Sequence, residues 1–475
     1  MNEAMLKEHS NKLPDDDVVH AVLESPLLWE LAPLLEPERD PHLGGRRSTH
    51  PVWVYLLWQT LIDICGGSRA VHRKLHADGK HLWRKIRRHA KKNLDEQLVP
   101  SSAVPARHMF YYAREAHLLP ALDRIRGEIA RDAARVARQV GLADPKRVGA
   151  TFHDPRLSTT IVGDGKVIAG RSPHDPLRAQ TVGDTGKPPR ARVVHLDHSG
   201  WVDSDGVIHR RRIEADARTY INGGNERQHG LKYVISAIRG LAPRQMVYLA
   251  VDPMGDDTEV RVAARQAIEA SRRLDGGARH WAYDKAARGT HIKQVVADGG
   301  LLPLVRPFKH DGRSSDKFAE VVDVKNGRTQ SVTVHLRDGV PHLRTADVEG
   351  NLNFEPLRRC TVKRRTNKNG THRFYLEYEL PESIGGGTVT LAGHETPEDV
   401  KRGFNRLEHF RPIGQDELSF GEAQVPARQS IESGNRVIDR YLPEGRAHHW
   451  GLERNHLQLL TWMFAWNASV AAVFG

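Results

Sequence analysis

The chain has 475 residues, 39% of them apolar and 27% charged, which is ordinary for a globular protein and long enough for roughly two to four domains. Its two cysteines, Cys65 and Cys360, exclude a disulfide framework and a four-thiolate zinc site, and its 27 histidines show no finger-like spacing with them. The net charge of +12 is concentrated. The segment Arg69–Lys92 carries +9 and Leu357–Arg373 carries +7, so the rest of the chain stands at −4. Two basic blocks on a near-neutral body point to a polyanion, because lysine and arginine displace the counterions of phosphates.

The opening residues lack an apolar signal core and no long apolar run follows, so neither secretion nor a membrane span is expected, and two isolated cysteines fit a reduced cytoplasm. Asp17–Leu35 reads as one helix, followed by a loop rich in Pro and Gly. From His50 to about Gly141 the pattern is helical. An apolar helix over HPVWVYLLWQTLIDIC ends at Gly66-Gly67, with Ser68 offered as the next N-cap. A basic helix, WRKIRRHAKK, comes next, and its Trp83 and His89 read as packing residues. An amphipathic helix follows near Leu118–Val140.

At about Leu157 the period changes to that of strands. LSTTIVGDGKVIAG, RARVVHLDHSGWV, HGLKYVISAIRG and RQMVYLAVD are β-branched runs bounded by Gly, Pro and Asp. Asp257–Leu274 is helical, then ARHWAYD reads as strand, AARGTHIKQVVADGG as helix and LLPLVRP as strand. Strands followed by alternating helix and strand predict a mixed sheet flanked by helices. From Lys309 to about Gly387 the pattern is β again, with a hairpin signal at Asn369-Gly370. Helices return over Pro397–His409 and Ala427–Tyr441, and NHLQLLTWMFAWNASVAAVF is a buried apolar helix in which Trp462 and Trp466 are core. The short GDTGK at Gly183–Lys187 lacks the spacing of a phosphate loop.

Asp164, in IVGDGKVI, and Asp284, at the end of HWAYD, are carboxylates at or near strand ends. Two such groups hold Mg²⁺ through oxygen and leave room for water and phosphate, and a third acid on a helix completes a two-metal site for phosphodiester attack. Asp-Gly is also a turn and Asp284 also a helix cap, and Asp197, Asp252 and Asp257 compete as candidates.

These segments, taken in order, resemble the DDE transposases of the IS4-like group, including the Tn5-like branch. IVGDGKVIAG looks like the first catalytic strand, WAYDKAARGTHIKQVVADGGLLPLVRP like the second-acid segment, and ARQSIESGNRVIDR like the helix of the third acid. The family pattern there is Tyr, two residues, Arg, three residues, Glu, six residues, Lys. Arg428 and Glu432 keep the Arg–Glu spacing, while Val425 and Asp439, with Arg440 beside it, stand at the Tyr and Lys positions. The resemblance implies catalytic and metal-binding roles for Asp164, Asp284 and Glu432, with Glu453 and Glu444 as alternatives for the third acid. It also implies two Mg²⁺ ions, replaceable by Mn²⁺.

The implied fold is α/β, an RNase H-like mixed sheet with flanking helices, a helical N-terminal domain and a β-rich insertion. The domains expected are 1–45 (N-terminal helix and linker), 46–150 (helical, basic, DNA-binding), 151–308 (first part of the core), 309–424 (β-rich insertion with helical return) and 425–475 (core helices). The implied partners are double-stranded DNA, as transposon ends and target, and a second copy of the chain in the DNA complex. The implied location is the cytoplasm, on the nucleoid in a bacterium. Arg84, Lys85, Arg87, Arg88, Lys91, Lys92, Arg364, Arg365, Arg428 and Arg440 are the expected DNA contacts. Two other readings stay open: an RNase H-like nuclease without strand transfer, and an inactive DNA-binding descendant of a transposase.

Overall fold

The computed structural model describes residues 15–37, 49–172, 193–221, 226–306, 318–322, 331–337, 339–346, 349–384, 386–414, 418–442 and 446–475. The Gly183–Lys187 segment and Glu444 lie outside the described residues.

The helix expected over Asp17–Leu35 is two helices, α1 (Asp15–Glu24) and α2 (Pro26–Leu35). Pro26 starts α2 at the position where its missing N–H costs nothing, and it forces Ser25 into extended backbone (φ −68°, ψ 127°). Next comes α3 (Val52–Cys65), in which every residue from Val52 to Ile64 is buried, closed by Gly66 in the left-handed region. Ser68 does not cap the following helix as the sequence suggested; its Oγ accepts from Trp58 Nε1 at 3.1 Å. The basic helix α4 (Ser68–Asn93) is interrupted by non-helical backbone from Ala77 to Lys80. Its Val71, Leu75, Trp83, Ile86 and Ala90 face inward. Trp83 meets the His50 ring edge-on and His89 stacks on Trp29, so both are packing residues. Two more helices, α5 (Arg107–Ala113) and α6 (Leu122–Gln139), complete the region.

The central sheet starts with β1 (Thr160–Ala169). The segment RARVVHLDHSGWV is not part of it. β2 (Val193–Asp197), β3 (Gly200–Asp203) and β4 (Ile208–His209) form a separate small sheet, because Asp197 turns the chain tightly by accepting from the amides of Ser199 and Gly200. The sheet continues with β5 (Arg218–Ile221), β6 (Arg227–Arg239) and β7 (Met246–Pro253). Then come α7 (Glu259–Arg273), β8 (His280–Ala282), α8 (Gly289–Gly299) and β9 (Leu302–Leu304). β6 pairs antiparallel with β1 on one edge and with β5 and β7 on the other, whereas β1, β8 and β9 run parallel. Three antiparallel strands followed by two parallel ones, in the spatial order third, second, first, fourth, fifth, is the RNase H-like arrangement.

The β-rich region expected after Lys309 is present, but as two sheets rather than one. β10 (Phe318–Val322), β11 (Ser331–Arg337), β12 (Val340–Ala346) and β13 (Leu352–Pro356) make the first. β14 (Arg359–Thr366), β15 (His372–Glu379) and β16 (Thr388–Ala392) make the second. The β14–β15 hairpin turns at Asn369-Gly370, with Gly370 at φ 81° where a side chain is strained. The short helices α9 (Pro397–Arg402) and α10 (Arg406–His409) return the chain to the core.

The long helices α11 (Leu418–Tyr441) and α12 (Leu452–Phe474) cover the sheet face opposite α7. By length and composition α12 is apolar enough to cross a membrane, but it packs against β7, α6, α1 and α3, as a core helix does. Trp462 and Trp466 both contact Tyr248, which is fully buried.

Candidate functional site

Side chains alternate across β1, so Val162, Asp164, Lys166 and Ile168 face one way and Gly163 and Gly165 the other. The first set faces α11. Asn435 Nδ2 donates to Asp164 Oδ2 at 2.8 Å, Arg428 Nη1 lies 3.5 Å from Asp164 Oδ1, and Lys166 Nζ lies 2.6 Å from Asp439 Oδ2. Arg428 also reaches Glu432 Oε1 at 3.5 Å. Arg428, Glu432, Asn435 and Asp439 are spaced by four, three and four residues, so they form one stripe along α11 over the polar part of β1.

Asp284 follows β8 directly. β1 and β8 pair in parallel with Val162 opposite Ala282, and two further residues in that register bring Asp284 level with Asp164. Its carboxylate accepts from the amide of Ala286 at 2.9 Å and closes a turn ahead of α8; it does not cap that helix, whose N-cap is Arg288.

Sequence reasoning missed two groups. Glu259, the first residue of α7, accepts from Tyr283 Oη at 2.6 Å and pairs with Lys232 Nζ at 2.5 Å. It lies against the other face of β1, where a Cβ on Gly165 would sit 2.3 Å from its carboxyl carbon, so a side chain there would push the Glu259 carboxylate aside. An acid in a first helical turn is so common that nothing marks Glu259 in the sequence. Asn435 was detectable in principle, through its helical spacing from Arg428 and Glu432. Its own Oδ1 is buried and has no hydrogen-bond partner among the described residues.

Burial lifts Asp164 to about 6; Arg428 pulls it down, while Glu259, Asp284 and Glu432 push it up. Asp284 is also raised, by burial first and by Glu259 among its neighbours, against the amide of Ala286 and the charges of Arg428 and Lys232. The groups acting on Asp164 are thus three further carboxylates and one guanidinium. An acid with a folded pKa above its unfolded value destabilises the fold once pH passes the unfolded value, and the penalty is complete above the folded one. Asp164→Asn is therefore expected to stabilise the metal-free protein by about 1–3 kcal/mol at pH 8 and to give no gain below about pH 4 in thermal or urea unfolding.

The competing acids have structural partners. Asp252 is bound by Arg126 and Gln266, and Asp257 accepts from the amide of Thr258, the N-cap of α7, and pairs with Arg261 and Arg265. Glu453, the alternative third acid, is exposed at the start of α12. Among the described residues, the group of three with ligand atoms within 4.8 Å of one another is His198, Glu214 and Asp216, not the Asp164 set. In that group Glu214 and Asp216 accept from the amides of Gly451 and Leu452 at the start of α12. Of the other histidines weighed, His456 bonds the Val251 carbonyl and His449 meets Gln458 and Arg114.

On α4, Arg84, Arg88, Lys91 and Lys92 are exposed and Lys85 is half-buried. Arg87 is partly used internally, donating to the Pro100 carbonyl at 3.0 Å. In the β14–β15 hairpin, Arg364 points inward to the Gly300 carbonyl and the Phe152 ring, while Arg365 is exposed over Tyr375. Arg440 lies in α11 with its side chain outside the described atoms.

No family model and no curated protein matches the chain. A solved structure of a piggyBac transposase synaptic complex with hairpin DNA is similar to it at a TM-score of 0.30 and 10% identity, over 98% of this chain and 75% of that one. A likeness at that level carries no argument, and the assignment of function rests on the geometry of the site.

Proposed function

We propose that the chain is a DDE-type transposase that cuts the ends of a mobile DNA element and joins them to target DNA. The observation that carries this reading is Asp164 on the central strand of an RNase H-like sheet, held at a pKa of about 6 by burial against Arg428 and among Glu259, Asp284 and Glu432. The donor set fits hard divalent cations. It offers carboxylate oxygens, with Asn435 Nδ2 bound to Asp164 and the Arg428 guanidinium between Asp164 and Glu432.

Asp164, Asp284 and Glu432 would hold two Mg²⁺ ions, or Mn²⁺ in their place, with Glu259 as a further acid at the rim. Ions held there would supply activation of the attacking oxygen and neutralisation of charge on the leaving one. The protein's own groups orient the site. Asn435 fixes one Asp164 oxygen, and Arg428 is free to move from carboxylates to a scissile phosphate, for which its planar fork is suited. The Lys166–Asp439 pair holds α11 against β1 and keeps this stripe in place.

Millimolar Mg²⁺ or Mn²⁺ is expected to raise the melting temperature at pH 8 and much less at pH 5, since Asp164 must be ionised to bind it. An equal effect in Asp164→Asn would place the ion elsewhere.

The exposed stripe Arg84, Arg88 and Lys91 supplies backbone contacts to duplex DNA, and Arg365 extends them. Reversing the three charges on α4 is expected to lower the slope of log K against log salt by roughly two to three, at about 0.9 per phosphate contact. An unchanged slope would mean that this face does not meet DNA. The domain division expected from the sequence, with 46–150 as the DNA-binding part, is kept in this reading, as are the cytoplasmic or nucleoid location and assembly as a homodimer on paired ends. The deciding experiment is metal-dependent cleavage and strand transfer on DNA bearing the inverted repeats that flank the coding region. Cleavage without joining would instead identify a nuclease.

A further inference from the structure

A polar cavity of about 400 Å³ opens where the end of α3 and the start of α4 meet the loop before α12. Arg114, Arg171, Arg212 and Arg454 line it, with His448 and Trp450 between them. Two of these arginines are neutralised together, since Glu115 accepts from both Arg114 and Arg454. The other two are not. Arg171 and Arg212 are exposed, neither forms an ion pair among the described residues, and both guanidiniums lie over the Trp450 ring, at 5.5 and 4.9 Å from its centre. The ring fixes the two planar groups while leaving their N–H edges free. His448 Nε2 is buried nearby without a hydrogen-bond partner among the described residues. Glu214 also acts on Arg171 and Arg454, and Glu453 on Arg454, but the four guanidiniums still outnumber these carboxylates and leave the cavity net positive, the complement of a phosphate.

The cavity has a defined place relative to the acids. Asp164 lies on β1, and Arg171 follows two residues after the strand ends at Ala169. Seven residues of extended chain span at most roughly 23 Å. One strand of duplex DNA places a phosphate about every 3.4 Å of axis, so that span is on the order of six or seven nucleotides. The cavity also adjoins Ser68, the first residue of α4, whose later turns carry the exposed stripe Arg84, Arg88 and Lys91.

We propose that Arg171 and Arg212, clamped on Trp450, grip backbone phosphates of the DNA several nucleotides from the bond that Asp164 and Asp284 serve. The inference rests on the DNA-processing reading above. It assigns to the junction between the helical region and the sheet a DNA contact that neither basic block of the sequence contains.

The test is equilibrium binding of the full chain to a short duplex over a range of salt. The proteins are wild type, Arg171→Ala with Arg212→Ala, and Arg171→Lys with Arg212→Lys. Because both positions are exposed, the variants should fold, and thermal unfolding checks this. The alanine pair is expected to lower the salt slope by about two, at about 0.9 per lost contact. It is also expected to weaken binding at least about tenfold, as loss of charged hydrogen bonds does. The lysine pair should keep the slope and lose affinity, because the charge remains while the bidentate fork is gone. A wild-type slope in the alanine pair overturns the proposal and leaves the catalytic reading intact. Inorganic tripolyphosphate is the second probe. If it stabilises the wild type and not the alanine pair while the DNA slope is unchanged, the cavity serves a small polyphosphate and the proposal is equally overturned. Failure of the wild type to bind duplex DNA at all removes the function reading itself.

Discussion

Replacing Asp164 or Asp284 with alanine is expected to lower metal-dependent strand cleavage and joining by at least about a thousandfold, while leaving duplex affinity within a few-fold of wild type. The size follows from the contribution of a bound ion. Several kcal/mol of transition-state charge stabilisation are lost with it, and each 1.36 kcal/mol is about a factor of ten in rate. The separation from binding follows from where the affinity comes from. Lysine and arginine contacts to phosphates supply most of it, and bare carboxylates repel the same phosphates. In the metal-free state, removing Asp164 also removes a buried acid, so binding without metal should if anything tighten. Glu432 is more exposed and reaches the cluster through Arg428, whereas Glu259 sits against Gly165 on the other face of β1 and acts on Asp164 by its charge. The two can be ranked in one assay. If Glu432→Ala keeps cleavage and Glu259→Ala abolishes it, the third ligand comes from α7 and not from α11. If neither aspartate variant loses cleavage, the catalytic reading of this site fails.

The sheet was legible because β1, β6 and β7 are β-branched runs with sharp borders, and because the alternation after Pro253 has the period of helix and strand in turn. The small β2–β4 sheet was misread as a strand of the same layer, since its local pattern is equally β and only the turn at Asp197 sends it away. The break between α1 and α2 was available in Ser25-Pro26 and was overridden by the apolar period on either side. At the site, Asp284 could be picked out because it follows a strand end next to a turn, whereas Asp164, expected near a strand end, lies in the middle of β1 and projects by the alternation of the strand. Their common level depends on the parallel register of β1 and β8, which no local pattern encodes. Glu259 was invisible for a different reason: its carboxylate rests where Gly165 lacks a side chain, a tertiary fact carried by a residue 94 positions earlier in the chain. The arginine cavity is harder still. Its members come from positions 114, 171, 212 and 454, and none belongs to a basic block.

The largest effect on stability is expected from Arg126→Ala, at about 3–5 kcal/mol, the range for breaking a buried ion pair from one side. Arg126 projects from α6 and binds Asp252 on β7 through both carboxylate oxygens, one of them at 3.1 Å, and its Nη2 also reaches Glu269 on α7 at 3.3 Å. Asp252 is 4% exposed. Burial drives its pKa up, but the Arg126 hydrogen bonds and charge, helped by Gln266 and His456, hold it below the usual carboxylate value. Gln266 Nε2 donates to Asp252 at 2.9 Å, and His456 on α12 lies 3.9 Å away. One guanidinium thus joins the helical region to the sheet and to α7, and reaches α12 only through Asp252 and His456. Without it, burial is no longer opposed by a fixed charge, and the Asp252 pKa should rise well above its unfolded value. The variant's deficit is then set by pH. It is full at neutral pH and shrinks as pH falls through the raised pKa, because the protonated acid no longer needs a counter-charge. In the wild type the sign is opposite. The depressed pKa of Asp252 adds stability that is present above the unfolded value near 4 and is lost as pH falls below it. Adding Asp252→Asn to Arg126→Ala removes the charge that was stranded, so the double variant should regain part of the loss at pH 7 and lose its pH dependence. Urea unfolding across pH 5–8 measures both. A deficit that does not vary with pH, and is not relieved by Asp252→Asn, would mean that Arg126 acts through packing of its stem and not through the buried pair.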